Sequence, residues 1–388
     1  MAMASFDGNK LSGLKEKVKQ LKYIYDKKGL PELASQLKTM LNKWKDVHIK
    51  IAVAGRAGAG KSSFINAIRN ITADDIKHNP AKVDVKECTN NVQEYIYPNN
   101  NNFRIYDLPG LGTPRFQQST YLADVTFEQY DFVIILTDTR FTNEDEWLAQ
   151  QTEEKGKPFY FVRSKIDNDI KNDKRAHPRS HNTASMLNRV KEDLESNLKR
   201  FSRKDVFLID NYKIELYEFG RLTSKLIHDS DEIIQDALAF SLACLSNEVI
   251  EEKKEILQRR IPLICFVVAV APYPIGAAFK SEEVKFYNKQ FQVDATSLTA
   301  GVEACDLSED ERETFDGKKS SPRKNMSVRS LLPELEFINF VPVLGHFDEV
   351  VNCEIYLTKC LDETAVRAKE THGLMIEGLA RKCTSSLK

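Results

Sequence analysis

The sequence predicts an α/β fold: a mostly parallel sheet inserted in a helical domain that is built from both chain ends. Three observations predict it. A glycine-rich run, GRAGAGKS at residues 55–62, stands between a strand pattern and a helical pattern. Short apolar runs then alternate with helical patterns, the signature of strands joined by crossover helices. Before the first strand and after the last, only helical periodicity is visible.

At the N-terminal side, Leu11, Leu14, Val18, Leu21 and Ile24 fall at helical spacing in a basic stretch over residues 10–28. A second helix is expected from Pro31 to Trp44, with Leu33, Leu37, Leu41 and Trp44 on one stripe. Gly29–Leu30–Pro31 punctuates the pair, glycine as a stop and proline as a first-turn residue. Val47, Ile49, Ile51 and Val53 alternate as a strand does, and Ser62–Arg69 reads as the helix after it. Further strands are expected at Val92–Tyr97, Phe103–Tyr106, Phe132–Leu136, Phe159–Val162 and Val206–Ile209. Asn99–Asn102 reads as a hairpin turn and Ser185–Phe201 as a helix. Beyond Tyr217, Asp231–Arg260 and Asn352–Arg381 read as long helices around a polar loop, Ser308–Arg329. The expected division is an N-terminal helical segment (1–46), a nucleotide-binding unit (47–230) and a C-terminal helical domain (231–388) packed with the N-terminal helices.

The composition narrows the class. The 388 residues are 41% hydrophobic and 29% charged, enough apolar material for a sizeable core. A net charge of −1 argues against a general nucleic-acid binder, which needs a basic excess to neutralise phosphates. The seven cysteines (Cys88, Cys244, Cys265, Cys305, Cys353, Cys360 and Cys383) form no C-x-x-C pair and read as free thiols of a reducing, cytoplasmic compartment. Met1–Lys10 lacks the apolar region of a secretory signal, and Ala2 is not the glycine that myristoylation needs. Ile261–Phe279 carries no charge, yet Pro262, Pro272, Pro274 and Gly276 would interrupt a spanning helix. It reads as a buried helix ending near Pro272, with peripheral or hairpin membrane insertion as the alternative.

The run at 55–62 matches G-x-x-x-x-G-K-[ST] at every fixed position. Its backbone, from Gly55 through Arg56, Ala57, Gly58, Ala59 and Gly60 to Lys61, Ser62 and Ser63, would cradle phosphates with N–H groups at a helix start. Lys61 would place a charge between the β- and γ-phosphates, and the Ser62 hydroxyl would ligate Mg²⁺. Asp107 ends an apolar run and begins DLPG; its carboxylate would hold the metal's hydration shell, and Gly110 would donate its N–H to the γ-phosphate. Between the two motifs, Thr89 in KVDVKECT is a candidate second hydroxyl for the metal. Leu111 follows Gly110 where Ras-type proteins carry the glutamine that orients water. Residues 164–167 read SKID: Asp167 can accept from the N1 and N2 donors of guanine, and Lys165 would lay its stem along the base. Ser164 stands where most small G proteins have asparagine, which weakens a loop-tying contact. Asp210 and Asn211, after the next strand, are a candidate floor for the base.

With GRAGAGKSSFINAIR, YDLPGLGTP, YDFVIILTDTRF, FYFVRSKID and VFLIDN in this order, the chain resembles the immunity-related (interferon-inducible) GTPases. The similarity is specific over residues 47–230 and looser in the flanks, including EKKEILQRRIPL at 252–263. The resemblance implies a Ras-like P-loop G domain inserted in a helical domain, binding GTP and GDP with Mg²⁺ and hydrolysing GTP. It also implies self-association through G domains, and cell-autonomous immunity with peripheral contact at intracellular or vacuolar membranes. Lys61 groups the chain with the lysine-bearing effector-type members. Glu87, Thr89, Thr113 and Arg140 fall on positions that the family uses in switching or at the catalytic dimer face, so Lys61, Glu87, Thr89 and Arg140 are the candidate catalytic set. Arg56 and Thr142 depart from the effector pattern, near the presumed pairing face. The rival expectation is a nucleotide-locked scaffold that binds GTP or GDP with little hydrolysis.

Overall fold

The computed structural model describes residues 8–83, 91–111, 117–202, 205–244, 246–298 and 347–385. Glu87, Thr89, Thr113 and the segment Ser308–Arg329 lie outside the described residues.

The apolar runs become the strands of one six-stranded sheet, ordered β2-β3-β1-β4-β5-β6. These are β1 (Ile49–Gly55), β2 (Gln93–Tyr97), β3 (Asn100–Asp107), β4 (Phe132–Thr137), β5 (Phe159–Arg163) and β6 (Val206–Leu208). β2 is antiparallel to β3; every other pairing is parallel. Parallel strands need covering on both faces, and β4 and β5 are buried at every position, which is why they read as unbroken apolar runs. Turn residues Pro98–Asn99 close the β2–β3 hairpin, so Asn100–Asn102, expected in the turn, already belong to β3.

Helices α2 (Lys61–Ile68), α3 (Gln118–Asp124), α4 (Asn143–Glu154), α5 (Ile166–Ala176), α6 (Thr183–Asn197) and α7 (Phe219–His228) join and cover the strands. One core cluster sets Leu108, Leu111, Tyr121, Phe159, Phe161 and Leu194 together, all fully or almost fully buried. Each such side chain withdrawn from water contributes about 1.5–3 kcal/mol. Thr142 is the N-cap of α4: its hydroxyl accepts from the Asp145 N–H at 3.3 Å, and Asp145 Oδ2 accepts the Thr142 N–H at 3.0 Å.

The chain divides into two compact units, Lys45–Val249 and Met1–Trp44 together with Ile250–Lys388. The first reaches past the expected boundary at 230, because α8 (Glu232–Ser241) packs on α7 and Ser241 Oγ accepts a bond from Asn100 Nδ2 at 2.9 Å. The single helix expected over Asp231–Arg260 is broken for the same reason. Leu242 turns extended (ψ 147°) after the buried Ser241, and Ser246 Oγ accepts from the Val249 N–H at 3.3 Å to start α9 (Asn247–Gln258).

In the other unit, α1 (Gly8–Asn42) is interrupted at Gly29, whose φ of 77° and ψ of −174° are non-helical, two residues ahead of Pro31. Leu21, Leu33 and Leu37 are fully buried. The uncharged run forms α10 (Ile261–Val270), stops at Ala271–Pro272, and resumes as α11 (Tyr273–Gln290). α10 is buried along nearly its whole length and packs on α1, α11 and the C-terminal helix α12 (Phe347–Ser385). Among the described residues, no helix is long and apolar enough to cross a membrane. Arg260 joins three elements: its Nε and a terminal nitrogen donate to Glu283 at 2.7 and 2.9 Å, its other terminal nitrogen donates to the Leu41 carbonyl at 2.8 Å, and its guanidinium stacks over Phe286.

Candidate nucleotide site

The neighbours of β1 place the site. β3 lies on one side of it and β4 on the other, so the chain changes direction across the sheet at β1 and leaves a crevice beyond its carboxyl end. The loop from Arg56 to Gly60 occupies that crevice and leads into α2. Arg56, Ala57 and Gly58 are exposed, whereas Ala59 is buried. Gly60 is the N-cap of α2 with φ 88°, a left-handed backbone that favours glycine, and a Cβ there would lie 3.2 Å from Asn211 Nδ2.

The carbonyls of this loop are held by side chains. Lys61, 7% exposed, donates its ammonium to the Gly55 and Arg56 carbonyls at 3.2 and 3.0 Å. Lys165 donates to the Gly58 carbonyl at 2.5 Å, the Ser164 hydroxyl to the Ala59 carbonyl at 2.6 Å, and Asn211 Nδ2 to the Gly60 carbonyl at 3.2 Å. A planar trans peptide points its C=O and the following N–H in opposite directions. Fixing the Ala59 and Gly60 carbonyls toward the loops after β5 and β6 therefore turns the Gly60 and Lys61 N–H groups the other way, as a phosphate cradle needs. Ser63, in the first turn of α2, has its hydroxyl 3.3 Å from the Tyr212 hydroxyl.

Ser62 and Asp107 meet as the sequence reading requires. The Ser62 hydroxyl donates to Asp107 Oδ2 at 2.8 Å, joining the start of α2 to the end of β3. A hydroxyl and a carboxylate are hard oxygen donors, the ligand chemistry that Mg²⁺ takes, so the residues present fit that ion. Gly110 approaches the P loop so closely that a Cβ on it would lie 2.7 Å from the Ala57 nitrogen. Arg56 pairs with Leu111 in an isolated parallel bridge, while the Leu111 side chain is buried in the core, 2% exposed.

At the other end of the crevice, Arg163 closes β5 and grips Asp169 of α5 through Nε at 3.0 Å and a terminal nitrogen at 2.7 Å. Lys165 caps α5 in the left-handed region, φ 56°, a strained backbone for a lysine and one held in place by its tertiary partners. Its ammonium is shared between Gly58 and Asp138, whose Oδ2 lies at 2.7 Å; the stem is thus tied to the phosphate loop. Asp138 was not among the residues expected at the site. Its signal is positional, since it directly follows β4 at the carboxyl end of a parallel strand. Ser164 corrects the expectation of a weakened tie: it is fully buried and its hydroxyl reaches the loop directly. Asp167 lies in the first turn of α5 and pairs with the exposed Lys171 at 2.8 Å.

Asp210 is 3% exposed and accepts the Tyr212 N–H at 2.9 Å. Burial pushes its carboxyl above the ordinary aspartate range, Asp167 adds to the rise, and the Tyr212 bond with Lys213 and Lys171 oppose it. A carboxyl whose pKa is raised by folding adds stability at low pH and loses it as pH climbs through the raised value. Asp210→Asn, which cannot ionise, is therefore expected to flatten the fall in stability above the ordinary aspartate pKa of about 3.9. Urea melts over a pH series would show this as a shallower slope for the variant; parallel slopes would refute it.

Arg140 is exposed and lines a groove of about 660 Å³ with Arg163, Asp169, Asp173, His177 and Arg189; none of the groove residues belongs to the P loop. Lys61, Ser62, Asp107, Gly110, Ser164, Lys165 and Asn211 are thus linked around one loop, while Arg140 lines the groove beside α5 and α6.

A family model described as Interferon-inducible GTPase (IIGP) matches residues 14–357. T-cell-specific guanine nucleotide triphosphate-binding protein 2 of Mus musculus is 32% identical over 298 residues, 74% of this chain and 71% of that protein. Interferon-inducible GTPase 5 of Rattus norvegicus is 30% identical over 308 residues, 76% of this chain and 66% of its own. Interferon-inducible GTPase 1 of Mus musculus is 33% identical over 260 residues, covering 64% and 62% respectively.

Proposed function

This chain belongs to the interferon-inducible GTPase family, whose members bind GTP and GDP with Mg²⁺ and hydrolyse GTP, and on that premise we propose that its turnover is activated when GTP-bound G domains pair. In this reading the sheet-bearing unit is the G domain and the helices of both chain ends form the helical domain. Lys61 and the loop N–H groups hold the phosphates, Ser62 and Asp107 hold Mg²⁺, and Lys165 and Asp167 read guanine over a floor of Asp210 and Asn211. When bound, the ion shields the phosphate charge. Glu87 and Thr89 serve the hydrolytic face, with Arg140 reaching the composite site on pairing. The setting we propose is cell-autonomous immunity, at peripheral contacts with intracellular membranes.

The observation that carries the pairing is the burial of Leu111 in the core, 2% exposed. The position after Gly110 therefore offers no polar group to orient the attacking water, and another group has to do so. Groups supplied in trans accelerate GTP hydrolysis by about 10³–10⁵-fold in other GTPases. Arg56, exposed beside that position, adds positive charge near the pairing face, so a smaller gain is expected here. Hydrolysis per protomer should rise with protein concentration from sub-micromolar to tens of micromolar. A constant specific activity over that range would refute the pairing. Constant and near-zero turnover would establish instead a nucleotide-locked scaffold.

A further inference from the structure

The tie to the phosphate loop is divided between two segments, Ser164 and Lys165 after β5 and Asn211 after β6. We propose that Asn211, from the segment after β6, supplies the amide that most small G proteins take from the residue preceding the base-reading lysine, and so is a positioning residue for the guanine nucleotide. The inference rests on the P loop being the nucleotide site.

Three consecutive loop carbonyls, those of Gly58, Ala59 and Gly60, accept from Lys165, Ser164 and Asn211 in turn. Serine at position 164 carries a single hydroxyl donor, spent on one loop carbonyl, and has none left for the next. It is fully buried, and its hydroxyl is committed to the Ala59 carbonyl at 2.6 Å, with the Thr137 carbonyl at 3.3 Å. The next carbonyl, that of Gly60, is the one that begins α2, since it also accepts the Phe64 N–H at 2.9 Å. Asn211 Nδ2 reaches it from the other side at 3.2 Å. The assignment of the amide follows from its partner, because a carbonyl oxygen needs a donor. Among the described residues Asn211 Oδ1 is buried with no hydrogen-bond partner. Such a group is costly and rare, so what the side chain gains at this place is the donor.

The geometry brings the segment carrying Asn211 to the site through the backbone. The Ile209 N–H donates to the Arg163 carbonyl at 2.8 Å, and the Ile166 N–H donates to the Ile209 carbonyl at 3.3 Å, which sews the end of β6 to the SKID loop. Asn211 then reaches across to Gly60, so the two base-side loops and the start of α2 move as one body. Its loss frees the Gly60–Lys61 peptide, whose Lys61 N–H would face the phosphates, and both GTP and GDP lose grip because the tie acts on the loop and not on the γ-phosphate.

The test measures GDP and GTP affinity and GDP release by fluorescence with labelled nucleotides, on the full chain. Asn211→Ala is expected to weaken both nucleotides about five- to tenfold, the usual return of one hydrogen bond, and to speed GDP release. Asn211→Asp keeps the shape, removes the donor and sets a carboxylate against the Gly60 carbonyl, so its loss should be larger. Adding Ser164→Asn to Asn211→Ala should recover affinity, an outcome that a merely structural role for Asn211 would not give. If Ser164→Asn does not fold at its buried site, Asn211→Asp decides: lost affinity at an unchanged nucleotide-free unfolding midpoint supports the proposal. Affinities of Asn211→Ala and Asn211→Asp within twofold of the parent, while Lys61→Ala abolishes binding, would overturn the relocation alone. Unchanged affinity in Lys61→Ala as well would overturn the nucleotide site itself.

Discussion

Replacing Lys61 by alanine is expected to weaken both GTP and GDP by on the order of 10²-fold or more. Lys61 is 7% exposed, and its ammonium lies 3.2 and 3.0 Å from the Gly55 and Arg56 carbonyls. A phosphate seated there would lose its desolvated countercharge, and truncating one partner of a buried charge pair costs about 2–5 kcal/mol. Alanine also removes the two bonds by which the ammonium holds the loop, so the nucleotide-free protein should unfold at slightly lower denaturant. Titration with fluorescent GDP and with a non-hydrolysable GTP analogue gives the answer. Equal affinities in variant and parent would take Lys61 out of the phosphate site.

The largest expected effect on stability lies in the other unit. Arg260→Ala should cost about 3–5 kcal/mol, because it leaves the Glu283 carboxylate buried without its partner. The Arg260 side chain is 13% exposed and that of Glu283 4%, so solvent screens the pair little. The same change releases the Leu41 carbonyl and uncovers the Phe286 ring. Replacing both partners by apolar residues of similar size, Arg260→Met with Glu283→Leu, should cost far less than the single truncation, since no charge is then stranded. Urea unfolding of the three proteins checks this. A single variant as stable as the parent would show that the pair contributes only geometry.

These two effects differ in how far the sequence announces them. Lys61 stands in an eight-residue run whose glycine spacing and flanking strand and helix are visible without coordinates. Arg260 is one of several charged residues in EKKEILQRRIPL, and nothing in its local pattern separates it from its neighbour Arg259. What distinguishes it is the approach of Glu283 from α11 and Leu41 from α1. The long helix expected over Asp231–Arg260 failed for a similar reason. Its periodicity is continuous, but the Asn100 side chain claims Ser241 from across the chain, and Ser246 starts a new helix.

The sequence by itself determined the P loop, the Ser62–Asp107 meeting point, the order of the strands along the chain and the helical flanks. These depend on short-range chemistry: glycines where the backbone must curl, a lysine and a serine at a helix start, and apolar runs long enough for buried parallel strands. Only the tertiary structure decided what holds the loop in shape. Asp138 after β4, Ser164 and Lys165 after β5, and Asn211 after β6 come from three separate segments and meet there. Their meeting is set by parallel pairing, which brings the carboxyl ends of β1, β4, β5 and β6 to one edge of the sheet. The same packing turned Leu111 into the core. Side-chain reach across that edge depends on strand order and register, and neither is written in the spacing of any one motif.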